Sequence, residues 1–96
     1  MTLAELLETV DDSRSFLNFA RELVVDREDE VKKERASPSS PYGPGANGWE
    51  NGTIEAFLES AIAWAEASDF GQLQGLSPDN PWRQFAVFLY CGKIYE

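Results

Sequence analysis

The stretch NPWRQFAVFLYCGKIYE, residues 80–96, holds three of the chain's nine Phe and Trp residues and, before Lys93, a single charge at Arg83. Asn80 as a cap followed by Pro81 at the first helical position is a start signal for a helix. Trp82, Phe85, Ala86 and Leu89 form its central stripe, and Val87, Phe88 and Tyr90 carry apolar character around most of the circumference. A helix apolar on nearly every side belongs in the middle of a bundle. Gly92 is expected to end it, leaving residues 93–96 frayed or extended. A strand over 88–95 is the main alternative, because aromatic and branched residues also suit a sheet.

Upstream, Thr53 is a suitable N-cap, and Ile54, Phe57, Leu58, Ala61, Ile62 and Ala65 follow the spacing of a buried helical face, with Trp64 at its edge. Glu55, Glu59 and Glu66 fall together on the adjacent flank as a narrow acidic ridge. Asp69, Gly71 and Gly75 end that helix. Before it, residues 36–52 contain Pro38, Pro41, Pro44, Gly43, Gly45, Gly48 and Gly52, so helix propensity collapses and a loop is expected. Tyr42 and Trp49 are costly to leave in water, and Trp49 is expected to pin the loop's end to the core.

The first third reads as two helices. Thr2 and Glu5 have capping-box spacing ahead of Leu3, Leu6, Leu7 and Val10. Asp11, Asp12 or Ser13 can cap a longer helix whose stripe is Phe16, Phe19, Ala20, Leu23 and Val24. Its second half, DREDEVKKER over residues 26–35, reads as a solvated face with Glu28–Lys32 and Asp29–Lys33 pairs, each adding about 0.2–0.5 kcal/mol. The fold expected is all-α: a single-domain irregular bundle of about four helices spanning residues 1–96, with a long Pro/Gly-rich loop between helices 2 and 3.

With 96 residues, 43% of them hydrophobic and 26% charged, the chain has the profile of one globular domain. Its 17 acidic and 8 basic residues give a net charge of −9, which repels the phosphates of nucleic acid. The longest apolar run, residues 85–91, falls well short of the ~20 residues that span a bilayer. The opening MTLAE lacks a secretory signal's basic start and unbroken apolar stretch, so no membrane association and a cytoplasmic location are expected. The lone Cys91 allows no internal disulfide and fits a reducing compartment.

Catalytic chemistry finds little purchase. Histidine is absent, which removes the commonest general base at neutral pH, and Cys91 on an apolar helix reads as a small hydrophobe. One cysteine and no histidine leave no zinc ligand set. Helical nucleotide pyrophosphatases are similar in being small and acidic, with a Glu-x-x-Glu pair and a Glu-x-x-Asp pair a few turns later. Glu5 with Glu8 and Glu66 with Asp69 have those spacings, but nearly the whole chain separates them. Residues 26–30 lack the alternating ligands and central glycine of a calcium loop, and Gly43, Gly45 and Gly48 lack the strand and lysine of a phosphate loop. No catalytic residue, metal or cofactor is expected.

Two blocks carry a resemblance: Trp49-Glu50-Asn51 running into Thr53 to Glu59, and Pro81-Trp82 with Phe85-Ala86, Leu89-Tyr90 and the ending Lys93 to Glu96. Together they resemble a family of small bacterial proteins described as a domain of unknown function, over residues 13–96. The resemblance implies a bacterial source and a compact single domain, and it brings no activity. Within the blocks, Trp49, Phe57, Trp64, Trp82, Phe85 and Leu89 read most simply as core, while Glu50, Asn51, Lys93 and Glu96 pair with one another or with helix ends, or line a groove.

The function these features imply is a non-enzymatic interaction module, monomer or homodimer, whose acidic surface binds a basic protein. Small immunity and antitoxin proteins offer an analogy of size and charge alone. Its candidate surface comprises Tyr42, Trp49, Glu50, Asn51, Glu55, Glu59, Glu66, Lys93 and Glu96. One alternative is a metal-dependent hydrolase using Glu55, Glu59, Glu66 and Asp69. Another is a helical homodimer with Leu17, Val24 and Val31 as its seam.

Overall fold

The computed structural model describes residues 1–95. Each helix begins where a side chain answers the free backbone amides of its first turn. The hydroxyl of Thr2 accepts from the Glu5 amide at 3.1 Å, and the Glu5 carboxylate accepts from the Thr2 amide at 3.0 Å, opening α1 (Leu3–Leu7). Asp12 and Ser15 make the same reciprocal box for α2 (Ser13–Ala36). Thr53 caps α3 (Ile54–Ser68), and Asn80, followed by Pro81, caps α4 (Pro81–Ile94). A single 3₁₀ turn at Gln72–Gln74 lies between the last two helices. No strand occurs among the described residues, so the all-helical expectation holds and the alternative of a strand over 88–95 is overturned. No helix of the described residues is long and apolar enough to cross a membrane.

The last helix is the hub. It packs against α3 most extensively and against both α1 and α2, whereas the Cα atoms of α2 and α3 nowhere approach within 8 Å. Two apolar clusters therefore form, one on each side of α4. Leu7, Val10, Phe19, Leu23, Trp49 and Ala86 fill the side facing α1 and α2. Trp64, Ala65 and Cys91 fill the side facing α3, with Val87 of α4 touching both clusters. Burying a residue such as Phe19 completely is worth roughly 2–3 kcal/mol.

Within α4 only part of the expected stripe is covered: Ala86 is buried and Leu89 partly so, but the two large rings are not. Ala86, Cys91 and Gly92 are buried, while Trp82 and Phe85 keep 37% and 46% of their surface exposed. The cause is that α4 is held on two flanks by helices that do not meet, so the face between those flanks at its N-terminal end stays open. The large rings there line up along the surface: Phe16 meets Trp82 at 5.7 Å between centroids, Trp82 meets Phe85 at 6.2 Å, and Phe85 meets Phe70 at 6.2 Å. Small residues occupy the close crossings instead. A Cβ at position 92 would lie 2.6 Å from the Phe57 ring, so Gly92 permits α3 to approach α4 and does not end the helix, which continues through Ile94.

On α3 the buried face is likewise rotated. Ala61, Trp64, Ala65 and Ser68 are buried, whereas Ile54, Leu58 and Ile62, expected inside, are exposed. The helix ends through two non-glycine residues in the left-handed region, Asp69 at φ 52° and Phe70 at φ 54°. That reversal returns the Phe70 ring onto Trp64 at 6.0 Å and stacks it on Phe88 at 5.5 Å.

Candidate functional site

Two features gather functional side chains, and they differ in kind. The first is a charged cluster at the C-terminal end of α4. Asp26 and Glu30 of α2 lie one turn apart and continue the core-facing positions Phe16, Phe19 and Leu23 at alternating spacings of three and four. They belong to the segment read from sequence as solvated, yet Glu30 is only 2% exposed. Its two oxygens accept from the Asn47 amide at 3.0 Å, the Trp49 amide at 3.2 Å and the Arg27 guanidinium at 2.7 Å. Asp26 accepts from the Trp49 indole N–H at 2.9 Å and from the Lys93 ammonium at 2.7 Å. Arg27 and Lys93 stand 5.4 and 5.7 Å from the Trp49 ring, within cation–π range.

This cluster clamps the loop between α2 and α3 to both neighbouring helices. The Glu50 amide donates to the Lys93 carbonyl at 2.9 Å, and the Asn51 amide group donates to the carbonyls of Gly92 and Tyr95 at 2.9 and 3.0 Å, satisfying the end of α4. Further along α2, Glu34 accepts from Ser39 and from the Ala46 amide, and hydrogen bonds from Ser39 hold its carboxyl below the ordinary value. Two acids, Asp26 and Glu30, face two bases, Arg27 and Lys93, so the clamp carries no net charge of its own. Its polar atoms are engaged with one another and with the backbone, which makes it a structural joint.

The candidate surface residues therefore divide. Trp49 and Lys93 are buried in the clamp, a correction to their placement on a surface, and Asn51 is a partly buried helix cap. Glu50 sits beside them, partly buried. Tyr42 stands almost wholly exposed at the loop's tip, away from the clamp. Glu55, Glu59 and Glu66 lie exposed along one flank of α3, and Glu96 lies outside the described residues. Asp26, Arg27 and Glu30 were missed by sequence reasoning, although the spacing of Asp26 and Glu30 from Leu23 was the signal. Of the two expected helical ion pairs, Asp29–Lys33 forms at 2.9 Å, and Glu28 makes none with Lys32.

The second feature is an open groove of about 460 Å3 between α2 and the start of α3. It exists because both helices rest on α4 without meeting. Leu23 and Val24 form one wall, Ile54 and Leu58 the other, and Trp49 and Phe57, stacked at 6.1 Å, lie between them. Arg27 reaches the groove, but its guanidinium is held by Glu30 and by the Gly52 carbonyl. Around the α3 wall the charge is of one sign: residues 36–82 contain no Lys or Arg, while Glu55 and Glu59 follow Ile54 and Leu58 directly.

Among the described residues no group of three or more His, Cys, Asp or Glu is arranged to hold a metal ion. Glu55, Glu59 and Glu66 project from a single exposed helix face, and Asp69 occupies the left-handed turn at its end. Burial pushes the Cys91 thiol up to about 11, so it stays protonated and a poor nucleophile at neutral pH.

The model of a family of unknown function, DUF7660, matches residues 12–96, and the chain belongs to that family. No curated protein and no solved structure matches the chain.

Proposed function

We propose that this DUF7660 member is a non-enzymatic interaction module that binds a basic partner protein through the surface of α3. The observation that carries the reading is where the excess charge resides. The buried clamp is neutral within itself, so the whole net charge of −9 lies outside it. On α3 the exposed Glu55, Glu59 and Glu66 form no ion pair among the described residues, and that helix contains no basic residue. Uncompensated carboxylates beside exposed apolar side chains favour a partner of opposite charge, for which they accelerate encounter and suppress wrong pairings.

The test is affinity purification from the native host with wild-type protein and with a Glu55→Gln/Glu59→Gln/Glu66→Gln variant, at low and moderate salt. The expected result is a stoichiometric basic protein retained by wild type and lost from the variant at moderate salt. Absence of a stoichiometric partner at either salt contradicts the reading, as does a partner held equally by the variant.

A further inference from the structure

We infer that the groove between α2 and α3 is the docking site of an amphipathic helix from a basic partner, with its apolar stripe in the trough and Lys or Arg residues against α3. This inference rests on the interaction-module reading and places it in a particular part of the surface.

The geometry of the trough is that of a helix missing from a bundle. α2 and α4 run in the same direction, since Phe16 meets Trp82 and Asp26 meets Lys93. α3 runs in the opposite one, with Phe57 near Gly92 and Phe70 against Phe85. Helices in contact pack with axes about 8–10 Å apart. Here the outer two are splayed across the third, and the gap is lined by side chains that a further helix would cover. Val24 is 58% exposed, Ile54 78% and Leu58 45%, which is unusual for apolar residues sharing one concavity. Beyond the lining of the groove itself, the helical repeat sets two more exposed apolar residues in register with these walls, Leu17 with Val24 and Ile62 with Leu58.

Charge selects the occupant. The positions immediately outside Ile54, Leu58 and Ile62 on α3 are Glu55, Glu59 and Glu66, and Glu28 lines the trough on the α2 side. Arg27, among the described residues the one cation lining the trough, is paired with Glu30. A helix with a leucine-type stripe and a basic flank would bury the exposed apolar side chains and neutralise the ridge, the arrangement by which grooves take amphipathic segments. A second copy of this chain would instead bring another net −9 to the same face.

The experiment uses the full chain and three labelled synthetic peptides, read by fluorescence anisotropy. One is an amphipathic helix with Leu at i, i+3, i+4 and i+7 and Lys on one flank. The second is a scramble of the same composition, and the third carries Glu in place of each Lys. The Lys helix is expected to bind, the scramble at least about tenfold more weakly, and the Glu helix not at all. Leu58→Asp should weaken binding of the Lys helix by about 30-fold or more, while Leu73→Asp, at an exposed apolar residue outside the groove, changes it by less than about twofold. Melting curves of both variants report whether the fold is intact. Equal binding of helix and scramble, unaffected by Leu58→Asp, overturns the groove and leaves charge-driven partner binding standing. No binding of either Lys peptide overturns both readings. A dimer by light scattering that Leu58→Asp dissociates overturns the partner helix in favour of a second copy.

Discussion

At the scale of single residues, the buried Asp26–Lys93 pair marks the boundary between joint and surface. Removing one partner of a buried pair leaves the other desolvated and unanswered, and Asp26 retains 23% side-chain exposure, so part of that penalty is relieved by water. Lys93→Met should therefore cost about 2–4 kcal/mol by urea unfolding. The Asp26→Asn/Lys93→Met double variant should cost less than the sum of the two single changes, because the orphaned charge is gone. Gly92→Ala should destabilise by about 1–3 kcal/mol despite alanine's better helix propensity, since the added methyl meets the Phe57 ring. Thermal unfolding of that variant beside Gly75→Ala, where a Cβ meets nothing but φ is 93°, separates packing from backbone strain. Residue identity was the more legible part of the sequence here. Helix caps, the Pro81 start and a buried Trp49 all follow from local chemistry. Asp26 and Glu30 are readable only by their register with Leu23, a weak signal inside a charged run of the kind that is usually solvated.

At the scale of elements, the helix order and the core faces of α1 and α2 were legible, whereas those of α3 and α4 were legible only in part. Periodicity identifies an apolar stripe but not which neighbour covers it. Ile54, Leu58, Trp82 and Phe85 satisfy the pattern of a core face and remain open because α2 and α3 never close over them. Gly92 shows the same limit in reverse: a glycine near a helix end resembles a stop, and only the proximity of Phe57 reveals a crossing. The end of α3 allows a direct test of local strain. Asp69 adopts φ 52°, a conformation that costs a side-chain-bearing residue about 1 kcal/mol and costs glycine almost nothing. Part of that gain is lost to glycine's greater freedom in the unfolded chain. Asp69→Gly should thus raise stability by about 0.5 kcal/mol in chemical denaturation.

At the scale of the whole molecule, a central helix gripped on two flanks leaves the exterior half-open, and a composition of 17 acidic against 8 basic residues makes that exterior acidic. Acid should act through the carboxylates that fold the ends of α2. Hydrogen bonds from Ser15 lower the Asp12 pKa, and those from Ser39 lower that of Glu34. A carboxyl lowered in the folded state contributes stability that is present above its unfolded pKa and is lost as pH falls through the folded one. The difference in urea midpoint between wild type and Glu34→Gln should therefore be full at neutral pH and shrink to nothing as the solution is made acidic. Occupancy of the trough is read residue by residue by methyl NMR during titration with the Lys-flanked amphipathic helix. Shifts are expected to be largest at Val24, Ile54 and Leu58 and to fade along Leu17 and Ile62, with the buried Val10 and the outlying Leu73 unmoved. Shifts centred on any other face, or spread evenly over the surface, would contradict it.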